Sequence, residues 1–245
     1  MIKKGIAAIA MPFVVLVAAS CGGSSPVIRG EAQDALPRAT LENWATYGDK
    51  LVVVKAIAES EDTLSAEEKE RGEGYISRTV TFQIGSGKWT RPGAKRRMPT
   101  TIDVANGGWV VHGQDRQEMQ LEGYTKAEVG KSYVALFTYS DVTAIVDPET
   151  RKVTPGEGAS WTLLDLVPLR NNTIASPSQE DATRFPARAS IARLSPEAAG
   201  QKLQSTKPEQ AAAKYMDLDP VVRYQDVQLD RAEQTPPTPG DGEKK

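Results

Sequence analysis

Cysteine and histidine each occur once in this 245-residue chain, at Cys21 and His112. A zinc site draws on three or four Cys, His or carboxylate ligands, and neither an H-E-x-x-H pattern nor a second histidine is present to supply them. One cysteine also excludes an internal disulfide framework. A serine triad needs its nucleophile on a sharp G-x-S-x-G elbow; the nearest pattern, Gly85-Ser86-Gly87, has a different spacing. Neither sign of charge is in marked excess, with 30 Lys and Arg against 32 Asp and Glu. A mildly acidic chain of this kind is a poor candidate for nucleic-acid binding as a whole. Long apolar runs are also missing. The one candidate, Gly5 to Val17, is shorter than the roughly 20 residues that a spanning helix needs.

What is present at that end is ordered in a particular way. Lys3 and Lys4 precede the apolar run, and the small residues Ala18, Ala19 and Ser20 follow it, directly before Cys21. A basic start, a short apolar stretch and small residues before a cut make a secretory signal peptide. Ala18-Ala19-Ser20-Cys21 resembles the lipobox of bacterial lipoproteins, with Ala18 where that family usually has leucine. The resemblance implies cleavage before Cys21 and transfer of a diacylglyceryl group to its thiol. Two acyl chains hold a protein firmly where one binds only marginally, at about 0.8 kcal/mol per buried methylene. The expected address is therefore the cell membrane, on its extracytoplasmic face, lipid-anchored. The alternative is an ordinary signal peptide in which Cys21 has no role. On the first reading residues 1–20 are the signal peptide and 21–38 a flexible Gly-, Ser- and Pro-containing tether.

Beyond the tether, Thr40 is placed to cap a short helix carrying Leu41, Trp44 and Ala45. Leu51 to Ala58 is a β-branched run and reads as a buried strand. Glu59 to Gly74 is an acidic insertion with one helical turn started by Ser65. Val80, Phe82 and Ile84 then alternate with Thr79, Thr81 and Gln83, a period-two strand with one buried face. Asn106-Gly107 offers the positive-φ pair of a tight hairpin between Thr101–Val104 and Trp109–Val111. Met119 and Leu121 alternate on another strand. Tyr133 to Phe137 is apolar on both faces and so belongs at the centre of a sheet. Val142 to Val146, a turn at residues 147–150 and Trp161 to Leu166 complete the strands.

Seven or eight short strands with turn residues between them predict a mainly β fold, a single OB-like antiparallel barrel or small sandwich, over residues 39–175. Short flanking helices and disordered termini accompany it. Residues 176–230 read as a helical C-terminal extension, with helices starting at Ser195-Pro196-Glu197 and covering Pro208 to Met216. Residues 231–245 read as a disordered tail. The motifs Trp44-Ala45, Asp49, Leu51-Val-Val-Val-Lys-Ala, Thr79-Val-Thr-Phe-Gln-Ile and Val129-Gly-Lys-Ser-Tyr-Val-Ala-Leu resemble a group of exported Gram-positive proteins common in Actinobacteria. That resemblance covers roughly residues 40 to 175 and implies an OB-like barrel, with no reaction attached.

Candidate sites are few. Gly130-Lys131-Ser132 ends like a phosphate-binding loop, but Thr125 stands where that loop needs glycine and a strand follows in place of a helix. It reads as a strand-entry turn. His112 with Asp115 and Glu118 forms a loose cluster, better read as a plain hairpin surface. The acids Glu59, Glu61, Asp62, Glu67, Glu68, Glu70 and Glu73 read as a solvated insertion.

The most suggestive feature is a basic loop in which Lys88, Arg91, Lys95, Arg96 and Arg97 surround Trp89. It reverses the sign of the chain locally and suits an anionic envelope polymer, lipid headgroups or an acidic protein partner, with Trp89 stacking at the interface. The bland alternative is a loop with solvated charges and Trp89 packed on the barrel. No catalytic residue, metal or cofactor is expected. The sequence thus predicts a lipid-anchored surface binding protein. Its rivals are an envelope hydrolase using a carboxylate pair and an accessory subunit of a membrane complex.

Overall fold

Two long strands carry the architecture of the computed structural model, which describes residues 27–30, 35–146, 153–156 and 158–234. The signal peptide, Cys21, most of the tether, the turn at 147–150 and the last residues of the tail lie outside the described residues. Strand β1 is Ile28–Gly30, β2 is Lys50–Glu61, β3 is Glu73–Thr90, β4 is Thr101–His112 and β5 is Asp115–Leu121. Strand β6 is Ser132–Ser140, β7 is Thr143–Val146, β8 is Val153–Gly156, β9 is Ser160–Arg170 and β10 is Thr173–Ile174. One eight-stranded sheet has the order β1-β5-β4-β3-β2-β6-β9-β10, and β7-β8 form a separate hairpin.

The side-chain alternation explains why this sheet is buried on both faces. On β6, Val134 and Leu136 join Leu51, Trp44, Trp89 and Val167 in one apolar cluster. Their neighbours Tyr133, Ala135 and Phe137 turn the other way, to Val54, Val80 and Phe82. Each such side chain removed from water contributes roughly 1.5–3 kcal/mol. Strand β6 sits between β2 and β9, the central place its apolar faces require.

The sheet departs from the expected antiparallel barrel in two ways. It is mixed, because β1 pairs with β5 in parallel. It is also open, because the strand order does not return on itself. A loop occupies the place where a closing ladder would run. Asn106 Nδ2 donates to Thr125 O, Asn106 Oδ1 accepts from Ala127 N, and Thr125 Oγ1 donates to Leu166 O on β9. These side-chain bonds join β4 to β9 through residues 125–127.

The same network corrects the expected turn at Asn106-Gly107. Strand β4 runs unbroken through it, and the ladder with β3 shifts register between Ser77 and Thr79. Gly107 keeps the positive φ of 75° that the pair suggested, but the amide of Asn106 is buried and committed to the loop. The hairpin instead turns at Gly113 and Gln114, between the paired His112 and Asp115.

Helix α1, Leu41–Tyr47, starts at a Thr40 capping box closed by Asn43, and α2, Ala66–Arg71, at a Ser65 box closed by Glu68. Helices α3 (Gln179–Arg184), α4 (Pro186–Ile191), α5 (Pro196–Ser205) and α6 (Pro220–Gln234) follow the sheet. Ser195 caps α5 as expected, whereas the predicted helix over Pro208 to Met216 is a 3-10 helix at Gln210–Tyr215. Helix α6 extends to Gln234, inside the region read as a tail. Ala187, Ile191, Ala199 and Leu203 share a core with the sheet residues Leu51 and Leu136. The C-terminal helices are therefore one layer of the fold.

Two contacts fix that layer. A Cβ on Gly200 would lie 2.1 Å from Lys88 O, so only glycine lets α5 reach the end of β3. Arg223 of α6 is fully buried and donates to the carbonyls of Thr46, Tyr215, Met216 and Leu218. Burial pulls its pKa down to about 10, which leaves the guanidinium charged at neutral pH.

Candidate binding cleft

Strand β3 ends at Thr90, and the next residue is fixed by both its backbone and its side chain. Arg91 N donates to Asp49 O at 2.8 Å, and Arg91 Nε to Asp49 Oδ1 at 2.9 Å. The other oxygen of Asp49 accepts from Tyr139 N at 2.7 Å and from Thr138 Oγ1 at 3.4 Å. Arg91 Nη1 reaches Met216 O at 3.2 Å. One buried ion pair thus ties β2, β3, β6 and the approach to α6 together. A carboxylate taking donors on both oxygens is a rigid base for whatever lies above it.

Above this base lies a cleft of about 180 Å³, lined in part by Arg91, Lys95, Arg96, Tyr139, Trp161 and Asp219. Tyr139 and Trp161 form an edge-to-face pair, with centroids 5.3 Å apart and planes at 66°. Arg96 bridges to Asp141 at 2.9 Å and lies 5.0 Å from the centroid of the Tyr139 ring. Asp219 accepts from Ser140 Oγ at 2.7 Å and from Asp141 N at 2.8 Å. The lining also includes Asp217, so its four carboxylates outnumber its three cations. Three of these carboxylates, Asp49, Asp141 and Asp219, already hold donors of the protein itself.

The six residues of the basic loop do not act together. Lys88 is bound to Glu197 of α5, and that bond holds the Glu197 carboxyl below its ordinary pKa. Trp89 is only 6% exposed and packs in the same cluster as Ile191 and Leu203, so its ring is not available for stacking at an interface. Arg91 forms the base of the cleft. Lys95, Arg96 and Arg97 are exposed. Among the described residues, Lys95 and Arg97 make no ion pair. Cys21 lies outside the described residues.

The remaining polar groups are engaged elsewhere. His112 is exposed, with Nδ1 3.7 Å from Glu73 Oε1. In the acidic insertion, Glu59 pairs with Arg78, Glu61 with Arg116 and Glu67 with Arg71, while Glu68 closes the cap of α2. Gly130 has φ of 87° and leads directly into β6, as a strand-entry turn does. Among the described residues no group of three or more His, Cys, Asp or Glu side chains could hold a metal ion. Four carboxyl groups, Glu68, Glu118, Glu197 and Asp230, have pKa values displaced from the ordinary one, and all move down.

Sequence reasoning missed several of these groups. Asp49, Tyr139 and Trp161 meet only in three dimensions, and the one motif that includes Asp49 gives it no role. Asp165 is buried between Arg38 and Arg188, and both arginines also donate to Gly123 O. It looks like an ordinary strand carboxylate in the sequence. The cleft presents two half-buried aromatic rings beside the exposed cations Lys95 and Arg96, an arrangement in which a ring or sugar face can be held by contact and a polar group by charge. No family model, curated protein or solved structure matches this chain.

Proposed function

We propose that this chain is an envelope lipoprotein, anchored at the extracytoplasmic face of the cell membrane through Cys21, whose β domain binds an anionic envelope component without transforming it. One observation carries the binding part. The fold engages Lys88 and Arg91 internally but leaves Lys95, in the lining of the cleft with Tyr139 and Trp161, and Arg97, two residues further along the loop, exposed and without an ion pair among the described residues. Cations kept out of internal pairs are available to an external anion. Three of the four cleft carboxylates, Asp49, Asp141 and Asp219, meet arginines, hydroxyls or backbone amides, which favours binding over a carboxylate pair arranged for hydrolysis. The serial order β4-β3-β2-β6-β9 also supports an OB-like domain, a partly open Greek-key barrel that commonly presents ligand sites on its strands and loops.

The test is co-sedimentation of the chain from Gly22 onward with isolated cell envelopes at low and high salt. The expected result is binding that weakens steeply with salt and is lost in a Lys95→Ala/Arg97→Ala variant. Binding that ignores both salt and the substitutions would sink the reading. For the anchor, the full chain carrying Cys21→Ser should appear in the medium or as an uncut precursor. A processed Cys21→Ser protein still held in the membrane would rule the anchor out.

A further inference from the structure

Independently of the cleft and of the anchor, we infer that a second hollow, at the other end of β6, binds a terminal phosphoryl group, as free phosphate or as a small phosphomonoester. The cleft meets β6 at Tyr139, whereas this hollow meets it at Ser132 and Tyr133. Its volume is about 690 Å³, within the roughly 300–1,000 Å³ of small-molecule sites. Pro168 and Leu169 of β9 supply part of its surface.

The charge of the lining is one-sided. Lys126, Lys131 and Arg170 stand against a single carboxylate, Glu128. Lys126 is held by Glu118 at 2.6 Å. Lys131 and Arg170 are exposed and make no ion pair among the described residues. Even with Lys126 assigned to Glu118, cations exceed carboxylates two to one.

Exposed charge is common on any surface, and the buried side of the hollow adds a second kind of donor. Tyr133 is only 3% exposed, and its hydroxyl accepts from Glu128 N at 2.8 Å. Both residues belong to the lining. Among the described residues the phenol proton reaches no acceptor. Burial, the largest cause, raises the pKa of this phenol above its ordinary value, so the proton stays in place at neutral pH. A buried donor without an acceptor is costly, and a ligand oxygen would satisfy it. The turn between β9 and β10 contributes two carboxamides. Asn171 and Asn172, with φ of 48° and 58°, lie between the paired Arg170 and Thr173, a two-residue turn that takes positive φ at both positions.

The loop that carries the lysines is held in place by the protein itself. Ala127 N donates to Asn106 Oδ1, and Ala127 O accepts from Arg78. Gly130 N donates to Ala56 O, and Lys131 N to Glu128 O. Those amides are spent, so the Gly130-Lys131-Ser132 turn offers side chains where a phosphate-binding loop offers backbone. A site fixed beforehand loses less freedom on binding. Its cations, neutral phenol and carboxamides all donate, and they converge from several sides. A terminal phosphoryl group answers them with three strong acceptor oxygens and a charge of about −1.5 to −2, where a carboxylate has two oxygens and one charge.

The experiment is calorimetric titration of the full chain, in non-ionic detergent, with inorganic phosphate, glycerol 3-phosphate, the diester glycerophosphoglycerol, and glycerol as the uncharged control. The expected result is one-site binding of inorganic phosphate or glycerol 3-phosphate, and none of glycerol. Whichever of the two binds more tightly tells free phosphate from a monoester. Lys131→Ala/Arg170→Ala should weaken that binding at least about ten-fold, and Tyr133→Phe about five-fold. The phenylalanine keeps the ring and its edge-to-face contact with Phe82. Lys207→Ala, which removes an exposed charge outside the lining, should change nothing. Melting curves separate lost binding from lost folding. The double variant alters only exposed side chains and should keep the fold, so it decides even where Tyr133→Phe unfolds. Tightest binding of the diester would overturn the terminal phosphoryl group in favour of a lipid headgroup. No binding of any phosphate compound, or binding that survives Lys131→Ala/Arg170→Ala, would overturn the site.

Discussion

Arg91 and Asp49, 42 positions apart in the chain, form a buried ion pair in which Arg91 Nε and Nη2 lie 2.9 and 2.8 Å from the same carboxylate oxygen. The pair is at once the junction of β2, β3 and β6 and the base of the cleft. Removing one partner of a buried pair leaves the other charge without compensation and costs about 3–5 kcal/mol. We expect Asp49→Ala to lower stability by that amount, read from the midpoint of urea unfolding. A loss near that of an exposed pair, below about 1 kcal/mol, would show that water reaches Arg91 freely.

Gly200→Ala tests the seating of α5. On an exposed helix this change gains about 1 kcal/mol. Here the new methyl would lie 2.1 Å from a backbone carbonyl, that of Lys88, and overpacking of that kind costs about 1–3 kcal/mol. The expected sign is therefore reversed. A raised melting temperature would mean that α5 does not touch β3.

Tyr47 is fully buried, and its hydroxyl has no hydrogen-bond partner among the described residues. Burial, the largest cause, raises its pKa. A buried hydroxyl left unpaired costs about 1–3 kcal/mol, so Tyr47→Phe should leave stability unchanged or increase it. The ring keeps its edge-to-face contact with Tyr224, at 5.5 Å between centroids. A marked drop in melting temperature would reveal a partner for the hydroxyl.

Stability should fall in acid. The Glu118 pKa lies below its ordinary 4.5, chiefly through its hydrogen bond with Lys126. A depressed carboxyl contributes stability that is full above the ordinary value and is lost as pH falls through the folded one. The urea midpoint should hold from neutral pH down to about 5 and drop below about 4. Lys126→Met should reduce the size of that drop. An unchanged acid limb in the variant would remove this pair from the account.

Much of the fold can be read locally, and the reasons are specific. Thr40 and Ser195 cap helices with their own hydroxyls, so three or four residues decide each start. Val80 and Phe82 face the core because a strand alternates. The central place of β6 follows from apolar residues on both its faces. The site is less legible because it depends on distant partners. Asn106-Gly107 has the chemistry of a turn, yet bonds to Thr125 and Ala127 hold the strand straight through it. Trp89 sits among cations in the sequence, while in the fold β3 carries it under α5. Helix α6 falls mostly within the extension read as helical, but its seating depends on the carbonyls of Thr46 and Tyr215 around Arg223, which no helical period announces.

The short strand β1 has a mechanical consequence. Ile28, Arg29 and Gly30 lie parallel to Met119, Gln120 and Leu121. Tension between an N-terminal tether and a load held at the far end of β3 would run along this ladder. Its hydrogen bonds, evenly spaced and slanted as in any parallel pair, would be sheared together and not peeled one at a time. With only three paired residues, this ladder is where such a load would first reach the sheet.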